Sequence, residues 1–573
     1  MKRYLITLSI LLFTFSVAFS QSKPEKIDDL LNRYHDARQF MGTALVAENG
    51  NIIYKKGFGF ANIEHEIKNE PDIKFRLGSI TKQFTSMLIM QLVQQNKVPL
   101  DGKLSEYLPY YRKDVGDKVT IHHLLTHTSG IPSYTNKPNF FAKESKLYLS
   151  TKELITKLCS DDLEFEPGEK YQYNNSGYVI LGGIIEEVTG MTYEKALRKF
   201  ILDPLQMNDT GYDYSEQIIK KRAAGYEKIV NGYKNADYLD MALPHAAGSM
   251  YSTVLDLYKW DRALRTGKLL SVENSTKMYT PFLNGYAYGW AVQKVSFNDN
   301  QNLTVYQHGG GINGFNTLIY RVIEEDKLII LLNNTGGAPL NDIKTGIMNI
   351  LYDKDYELPK NSIADYIYTI IEDNGINEAI ETYNRLKNNE KESFNFRENE
   401  LNNLGYFLLN QNRTDEAIEI FKLNIEAYPK SANTYDSMGE AYMKKGDNVS
   451  AIRFYKTSLE LNPGNSNAVL KLKEMGVEYN TEEIVFNAEI LEKYIGVYKL
   501  APEFLLTISR EGDKLFAQAT GQAKLEIFPK TETEFYLKDI NAQIKFIRNE
   551  DGMTDKLILT QNGREMPADK IEK

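Results

Sequence analysis

Cysteine is almost missing from this chain: Cys159 is the only one in 573 residues. No intrachain disulfide can form, so stability has to come from large apolar cores, and the length leaves room for several domain-sized ones. Cys159 stands among Leu154, Ile155 and Leu158, an apolar helical setting that reads as packing and not as a catalytic thiol. A basic excess is missing too. The formal charge is −9, from 68 Lys and Arg against 77 Asp and Glu, so no nucleic-acid partner is expected. Histidine is sparse, at seven residues. His123 and His127 are spaced as a helical metal pair, but no third ligand is suggested nearby, and no metal is expected. Long apolar runs are confined to residues 1–20. There Lys2 and Arg3 precede an apolar stretch from Leu5 to Phe19, and Ala18-Phe19-Ser20 forms a small-x-small cleavage site, the pattern of a secretory signal. The run is shorter than the ~20 residues a spanning helix needs, so the mature chain is expected to be periplasmic or secreted with no transmembrane segment.

What is present falls into three segments after that signal. Residues 21–355 alternate helical and strand patterns. Met41–Ala47 and Asn51–Lys55 read as a hairpin turning at Asn49-Gly50, and Asn316–Val322 with Lys327–Leu332 as a second strand pair. A sheet drawn from both ends of the segment, with helices such as Ser79–Gln95 between, gives an α/β layout. Residues 360–478 are helical and repetitive: Gly405 and Gly439, Ala417 and Ala451, Phe421 and Tyr455, and Pro429 and Pro463 are each 34 apart, the tetratricopeptide period. Asn377–Tyr383 looks like the second helix of an imperfect earlier unit. The repeats serve either as a packing spacer or as a groove for a protein partner, and so short an array favours the spacer. Residues 485–573 turn strand-rich, with runs at Phe504–Ser509, Lys514–Ala519, Glu534–Leu537 and Ile544–Ile547. Turn signals at Gly512, Asp551-Gly552 and Asn562-Gly563 punctuate them, which suggests a small barrel or sandwich.

Three motifs of the first segment carry chemistry. In Ser79-Ile80-Thr81-Lys82 a helix starting at Ser79 puts the hydroxyl and the Lys82 amine on one face, three residues apart. Serine is a poor nucleophile until a base removes its proton, and an apolar setting of Phe75, Ile80 and Phe84 can lower a lysine pKa enough for that task. Tyr173 adds a phenol whose pKa a neighbouring Lys82 ammonium can pull down. Asn175, two positions on, shares its face if the segment is extended, and its amide can orient a substrate carbonyl. His308-Gly309-Gly310-Gly311, expected just before a strand, lets substrate backbone lie close, and an N–H there can join that of Ser79 in an oxyanion hole. As a phosphate loop this run fails, since no Gly-Lys-Ser/Thr follows, and no cofactor is expected.

Taken in order, Phe75–Lys82, Leu124–Gly130, Tyr173–Tyr178, Ala247–Thr253, Tyr288-Gly289-Trp290 and His308–Gly311 resemble the β-lactamase-related serine hydrolases. These comprise class C β-lactamases, D-Ala-D-Ala carboxypeptidases, D-aminopeptidases and related esterases. The resemblance implies an antiparallel sheet flanked by helices plus a helical subdomain. It also implies Ser79 as acylated nucleophile, Lys82 with Tyr173 as base and acid, Asn175 as a positioning amide, the amides of Ser79 and Gly311 as oxyanion hole, and a structural His127. Leu491–Tyr498 and Leu515–Gln522 are similar to the small β-barrel often appended to such enzymes. His308 departs from the Lys-Thr-Gly lysine of β-lactamases and penicillin-binding proteins, the cation that meets the β-lactam carboxylate. It turns the expectation toward a peptidase or esterase acting on a small molecule or short peptide, D-residues included. A true β-lactamase or penicillin-binding protein is the alternative, and a cell-wall peptide sensor using its repeats as scaffold is the reading from another class.

Overall fold

The computed structural model describes residues 21–572, apart from 298–301, 480–487, 502–503, 521, 523, 539, 550–551 and 562–563. The signal segment and the Asp551 and Asn562-Gly563 turn signals therefore lie outside the described residues. Among the described residues no helix is long and apolar enough to cross a membrane.

The first segment is built on a six-stranded antiparallel sheet, in the order Ala291–Val295, Leu303–Ile312, Phe315–Val322, Lys327–Asn333, Gly42–Glu48 and Asn51–Phe58. Its centre joins the two ends of the segment, with Ala44 opposite Leu331 and Val46 opposite Ile329. The Asn49-Gly50 turn has both residues at positive φ, 52° and 74°, the backbone a tight hairpin needs. Side chains alternate by face. Ala44, Val46, Ile329 and Leu331 face one way, onto Ile27, Leu30 and Leu31 of helix Lys23–Asp36 and Ile343 and Ile347 of helix Leu340–Leu351. Leu45, Ala47, Leu328, Ile330 and Leu332 face the other way, into the core of the helical part inserted between the strands. Within that core the helix Asn175–Thr189 is buried along its first three turns, and Gly182 lets His245 and Ala246 approach where a Cβ would clash at 2.6–2.8 Å.

The repeats form antiparallel helix pairs: Ile363–Asn374 with Ile376–Asn389, Glu398–Asn410 with Thr414–Ala427, and Ala432–Lys445 with Asn448–Leu461, followed by Ser466–Glu474. The 34-residue period has a steric cause. A Cβ on Gly405 would lie 2.4 Å from the Phe421 ring, and one on Gly439 would lie 2.9 Å from the Tyr455 ring. The second and third pairs thus each pack a bare backbone on the aromatic ring of the second helix.

These helices dock on both neighbours. A hairpin of the first segment, Tyr226–Ile229 with Gly232–Asn235, inserts Val230 into the core formed by Ile363, Ile367 and Ile371. Asp365 on the first repeat helix accepts from the Asn231 N–H at 2.8 Å and pairs with both Arg38 and Lys228. At the far end Lys530 donates to the Leu461 carbonyl at 2.9 Å and Asn541 to Ser431 at 3.1 Å.

The last segment is a closed antiparallel barrel of eight strands, from Gly496–Ala501 through to Arg564–Glu572, which pair with each other to close it. Closure leaves no sheet edge exposed. Tyr494, Tyr498, Phe535, Phe546 and Leu557 fill the interior.

Candidate active site

Three pieces of backbone converge on Ser79. The short strand Phe75–Arg76 pairs with Met250–Ser252, and Leu77 N–H donates to Met250 O at 2.8 Å. Gly78 then turns at φ 54°, and a Cβ there would meet the Gly311 nitrogen at 2.9 Å, so glycine is required for both conformation and space. Ser79 sits in a 3₁₀ turn, Gly78–Ile80, and the α-helix proper starts at Thr81 and runs to Gln94. The expected helix start at Ser79 is thus moved by one turn of tighter helix, which still carries Lys82 Nζ to 3.0 Å from Ser79 Oγ.

Lys82 is fully buried. Its Nζ is 2.9 Å from Asn175 Oδ1 and 2.9 Å from the Ala247 carbonyl, besides Ser79 Oγ. Two of these three atoms can only accept. A neutral amine has two N–H groups for them and one lone pair left, which then faces the serine hydroxyl. Burial drives the Lys82 pKa well below its ordinary value, which favours that neutral form.

Tyr173 lies beside this group, but not as expected. Lys82 Nζ stands over the face of its ring, 4.9 Å from the centroid, and does not pull the phenol down. Burial raises the Tyr173 pKa, and the nearby Ser79 hydroxyl opposes this only in part. The phenol is therefore a protonated group at neutral pH. Its hydroxyl is buried and, among the described residues, makes no hydrogen bond of ordinary geometry, with the Ser79 hydroxyl as a polar neighbour. Asn175 also differs from the extended reading. It is the first residue of helix Asn175–Thr189, whose N-cap is Asn174, accepting from Gly177 N–H at 2.8 Å. Asn175 still reaches the site, because the cap turns it toward Lys82, and its Nδ2 donates to Thr135 Oγ1 at 3.1 Å.

The glycine run lies within the strand Leu303–Ile312 and not before one. A Cβ on Gly310 would fall 1.9 Å from the Leu77 carbonyl and 2.3 Å from Thr317 Oγ1, and Thr317 donates to that same carbonyl at 2.7 Å. Bare backbone here lets the strand press against the turn that holds Ser79. His308 is buried behind this contact. Its Nδ1 lies 2.6 Å from the Gly309 carbonyl, which can only accept, so the proton is on Nδ1 and Nε2 accepts from Tyr286 Oη at 2.9 Å. Burial, aided by Lys82, holds its pKa at about 4. His308 is thus a neutral imidazole. His127 packs on Tyr173 at 4.3 Å between ring centroids, and its Nδ1 accepts from the Asn174 N–H at 3.1 Å.

A cleft of about 530 Å³ opens over this group. Ser79, Asn175 and Gly311 line it, with Tyr134, Phe140 and Phe315 as apolar wall, whereas Lys82 and His308 are buried behind the surface. The nucleophile faces solvent and its proton acceptor does not. Two contributors are given no role from sequence: Ala247, though it opens the Ala247–Thr253 stretch, acts through a carbonyl, and Thr135 is one threonine among many.

The β-lactamase family profile matches residues 27–348. The chain belongs to that family. It is similar to penicillin-binding protein 4* of Bacillus subtilis, with 30% identity over 366 residues, 59% of this chain and 78% of that protein. It is also similar to the teichoic acid D-alanine hydrolase of Staphylococcus aureus, with 28% identity over 313 residues, 54% of this chain and 73% of that one. Among solved structures, D-amino acid amidase from Ochrobactrum anthropi SV3 superposes with a TM-score of 0.50 at 25% identity, over 58% of this chain and 99% of that chain. This β-lactamase-family chain is accordingly a serine hydrolase by fold and kinship. Tetratricopeptide profiles match residues 401–431 and 434–468, and a domain family of unknown function matches residues 482–570.

Proposed function

We propose that the protein is an exported hydrolase cleaving an amide or ester of a small substrate, short peptides with D-residues included, through an acyl-enzyme on Ser79. The observation that carries this reading is the Lys82 amine, buried, held by two carbonyl acceptors and left with its lone pair toward Ser79 Oγ at 3.0 Å. Lys82 takes the Ser79 proton as Oγ bonds to the substrate carbonyl carbon. The N–H groups of Ser79 and Gly311 meet the oxyanion. Tyr173, kept protonated, hands its proton to the leaving amine or alcohol. Water then attacks the acyl carbon, its proton going to the Tyr173 oxygen, while Lys82 returns the proton it took to Ser79 Oγ as Ser79 is released.

Within this reading residues 21–355 are the hydrolase unit, 360–478 the repeats and 485–573 the barrel. Export rests on the signal pattern of residues 1–20. The docking of the repeats on both neighbours favours a spacer over a partner-binding scaffold. A neutral His308 engaged through both nitrogens supports amidase or esterase work over β-lactam hydrolysis, because it offers no cation to a β-lactam carboxylate. The relatives named for D-alanine release and D-amino acid amide cleavage point the same way.

A fluorophosphonate probe tests the reading. It should label the wild-type chain on Ser79 and leave Ser79→Ala unlabelled. An unlabelled wild type, or full labelling of Ser79→Ala, would overturn it.

A further inference from the structure

Uncharged groups wall the cleft over Ser79 with one exception. Among its described lining residues Glu227 alone carries a formal charge. The fold holds this carboxylate in place. Tyr226, just before it, donates its N–H to Asn334 O at 3.1 Å and accepts from Gly336 N–H at 2.8 Å, which pins the start of the hairpin to the end of the central sheet. Glu227 Oε1 accepts from the Gly314 N–H at 3.1 Å. Gly336 makes room for the other oxygen, since a Cβ there would stand 2.0 Å from Oε2.

Among the described residues no basic side chain pairs with it. Lys228 and Arg38 are turned to Asp365. Lys234 stands opposite Glu227 in the hairpin register, yet the two form no ion pair. A half-buried carboxylate with a single backbone donor and no cation has acceptor sites to spare. Gly314 is three residues beyond Gly311, which touches the Ser79 turn, so the reach of the chain holds Gly314 within about 10 Å of Gly311, and the carboxylate and the nucleophile line one cleft. An extended dipeptide spans about 7 Å.

We propose that Glu227 is a specificity-determining residue that binds a substrate ammonium group set one to two residues' length back from the scissile carbonyl. The substrate class is short peptides or aminoacyl esters with a free amine. The proposal rests on the serine-hydrolase reading above. A charge-assisted contact of this kind is worth about 10- to 100-fold in kcat/KM.

The full-length protein is assayed with D-alanyl-D-alanine p-nitroanilide and its N-acetyl derivative, in the wild type and in Glu227→Gln. Glutamine keeps an acceptor for the Gly314 N–H and removes the charge. The wild type should prefer the free amine by about 10- to 100-fold, and the preference should collapse toward one in Glu227→Gln, chiefly through KM. The N-acetyl substrate and fluorophosphonate labelling should be unchanged. Glu227→Lys, as a second variant, should reverse the preference in favour of an N-succinyl derivative. A wild type indifferent to acetylation, or a Glu227→Gln enzyme that keeps its preference, would overturn the proposal while labelling stays intact. Loss of labelling in the wild type would instead bring down the hydrolase reading beneath it.

Discussion

Replacing Tyr173 by Phe should yield a protein that is more stable and nearly inactive. The ring is held by His127 at 4.3 Å between centroids and by Lys82 over its face at 4.9 Å, and phenylalanine keeps both contacts. Only the hydroxyl is lost, and it is buried and, among the described residues, makes no hydrogen bond of ordinary geometry. An unsatisfied buried hydroxyl carries a desolvation penalty of about 1–3 kcal/mol. The nearby Ser79 hydroxyl returns part of that, so the net gain on removal is about 1 kcal/mol. For a unit of this size that raises Tm by about 2 °C. Activity should move the other way. Losing the proton donor to the leaving group should lower kcat by about 10²- to 10⁴-fold with little change in KM. Thermal unfolding followed by circular dichroism and steady-state turnover of a p-nitroanilide measure the two effects. A Tm that falls by several degrees would mean the hydroxyl is a structural partner, and a kcat within tenfold of wild type would mean it moves no proton. Either result refutes the reasoning.

The pH profile follows from the same geometry. Lys82 accepts a proton only when neutral, so kcat/KM should rise about tenfold per pH unit up to a pKa well below the 10.5 of a free lysine, then level off. His308, held at about 4, should add no step between about pH 5 and 8; an inflection at 10.5, or a step near 6.5 that His308→Gln removes, contradicts this. Gly310→Ala should lose both stability and turnover, by about 1–3 kcal/mol or more in unfolding free energy, because its Cβ drives into the Leu77 carbonyl. Gly309→Ala, where the nearest atom would be an ordinary 3.6 Å away, should stay close to wild type in the same denaturation and rate measurements.

Features set by short-range geometry were legible in the sequence. Ser79 and Lys82 are three residues apart, so any helical turn brings them together, and Asn49-Gly50 writes its own hairpin. The 34-residue period marks positions where Gly405 and Gly439 must yield to rings. What depended on tertiary placement was not. The direction of the Tyr173 pKa turns on whether Lys82 Nζ meets the hydroxyl or the ring face, and sequence is silent on that. Asn175 follows Tyr173 at a spacing that fits an extended segment, and only the Asn174 side chain capping Gly177 N–H shows that the helix starts there. Gly309–Gly311 is expected just before a strand because glycine is rare within one, and only the pressing Leu77 backbone explains why this strand needs it. In the barrel, strands such as Leu525–Pro529 and Thr554–Gln561 carry no clean two-residue alternation, since apolar Phe528 and Ile558 stand toward the outer face beside buried Ile527, Leu557 and Leu559.

The hairpin that carries Val230 into the repeat core has its other end in the substrate cleft, at Glu227. A chain cut near residue 355 would therefore not be a clean enzyme. It would bare Val230 to water and leave Arg38 and Lys228 without their shared carboxylate, slackening one side of the binding site. On the proposed reading the repeats act as a strut, and the smallest unit that keeps the Glu227 hairpin seated extends at least through the Ile363–Asn374 helix.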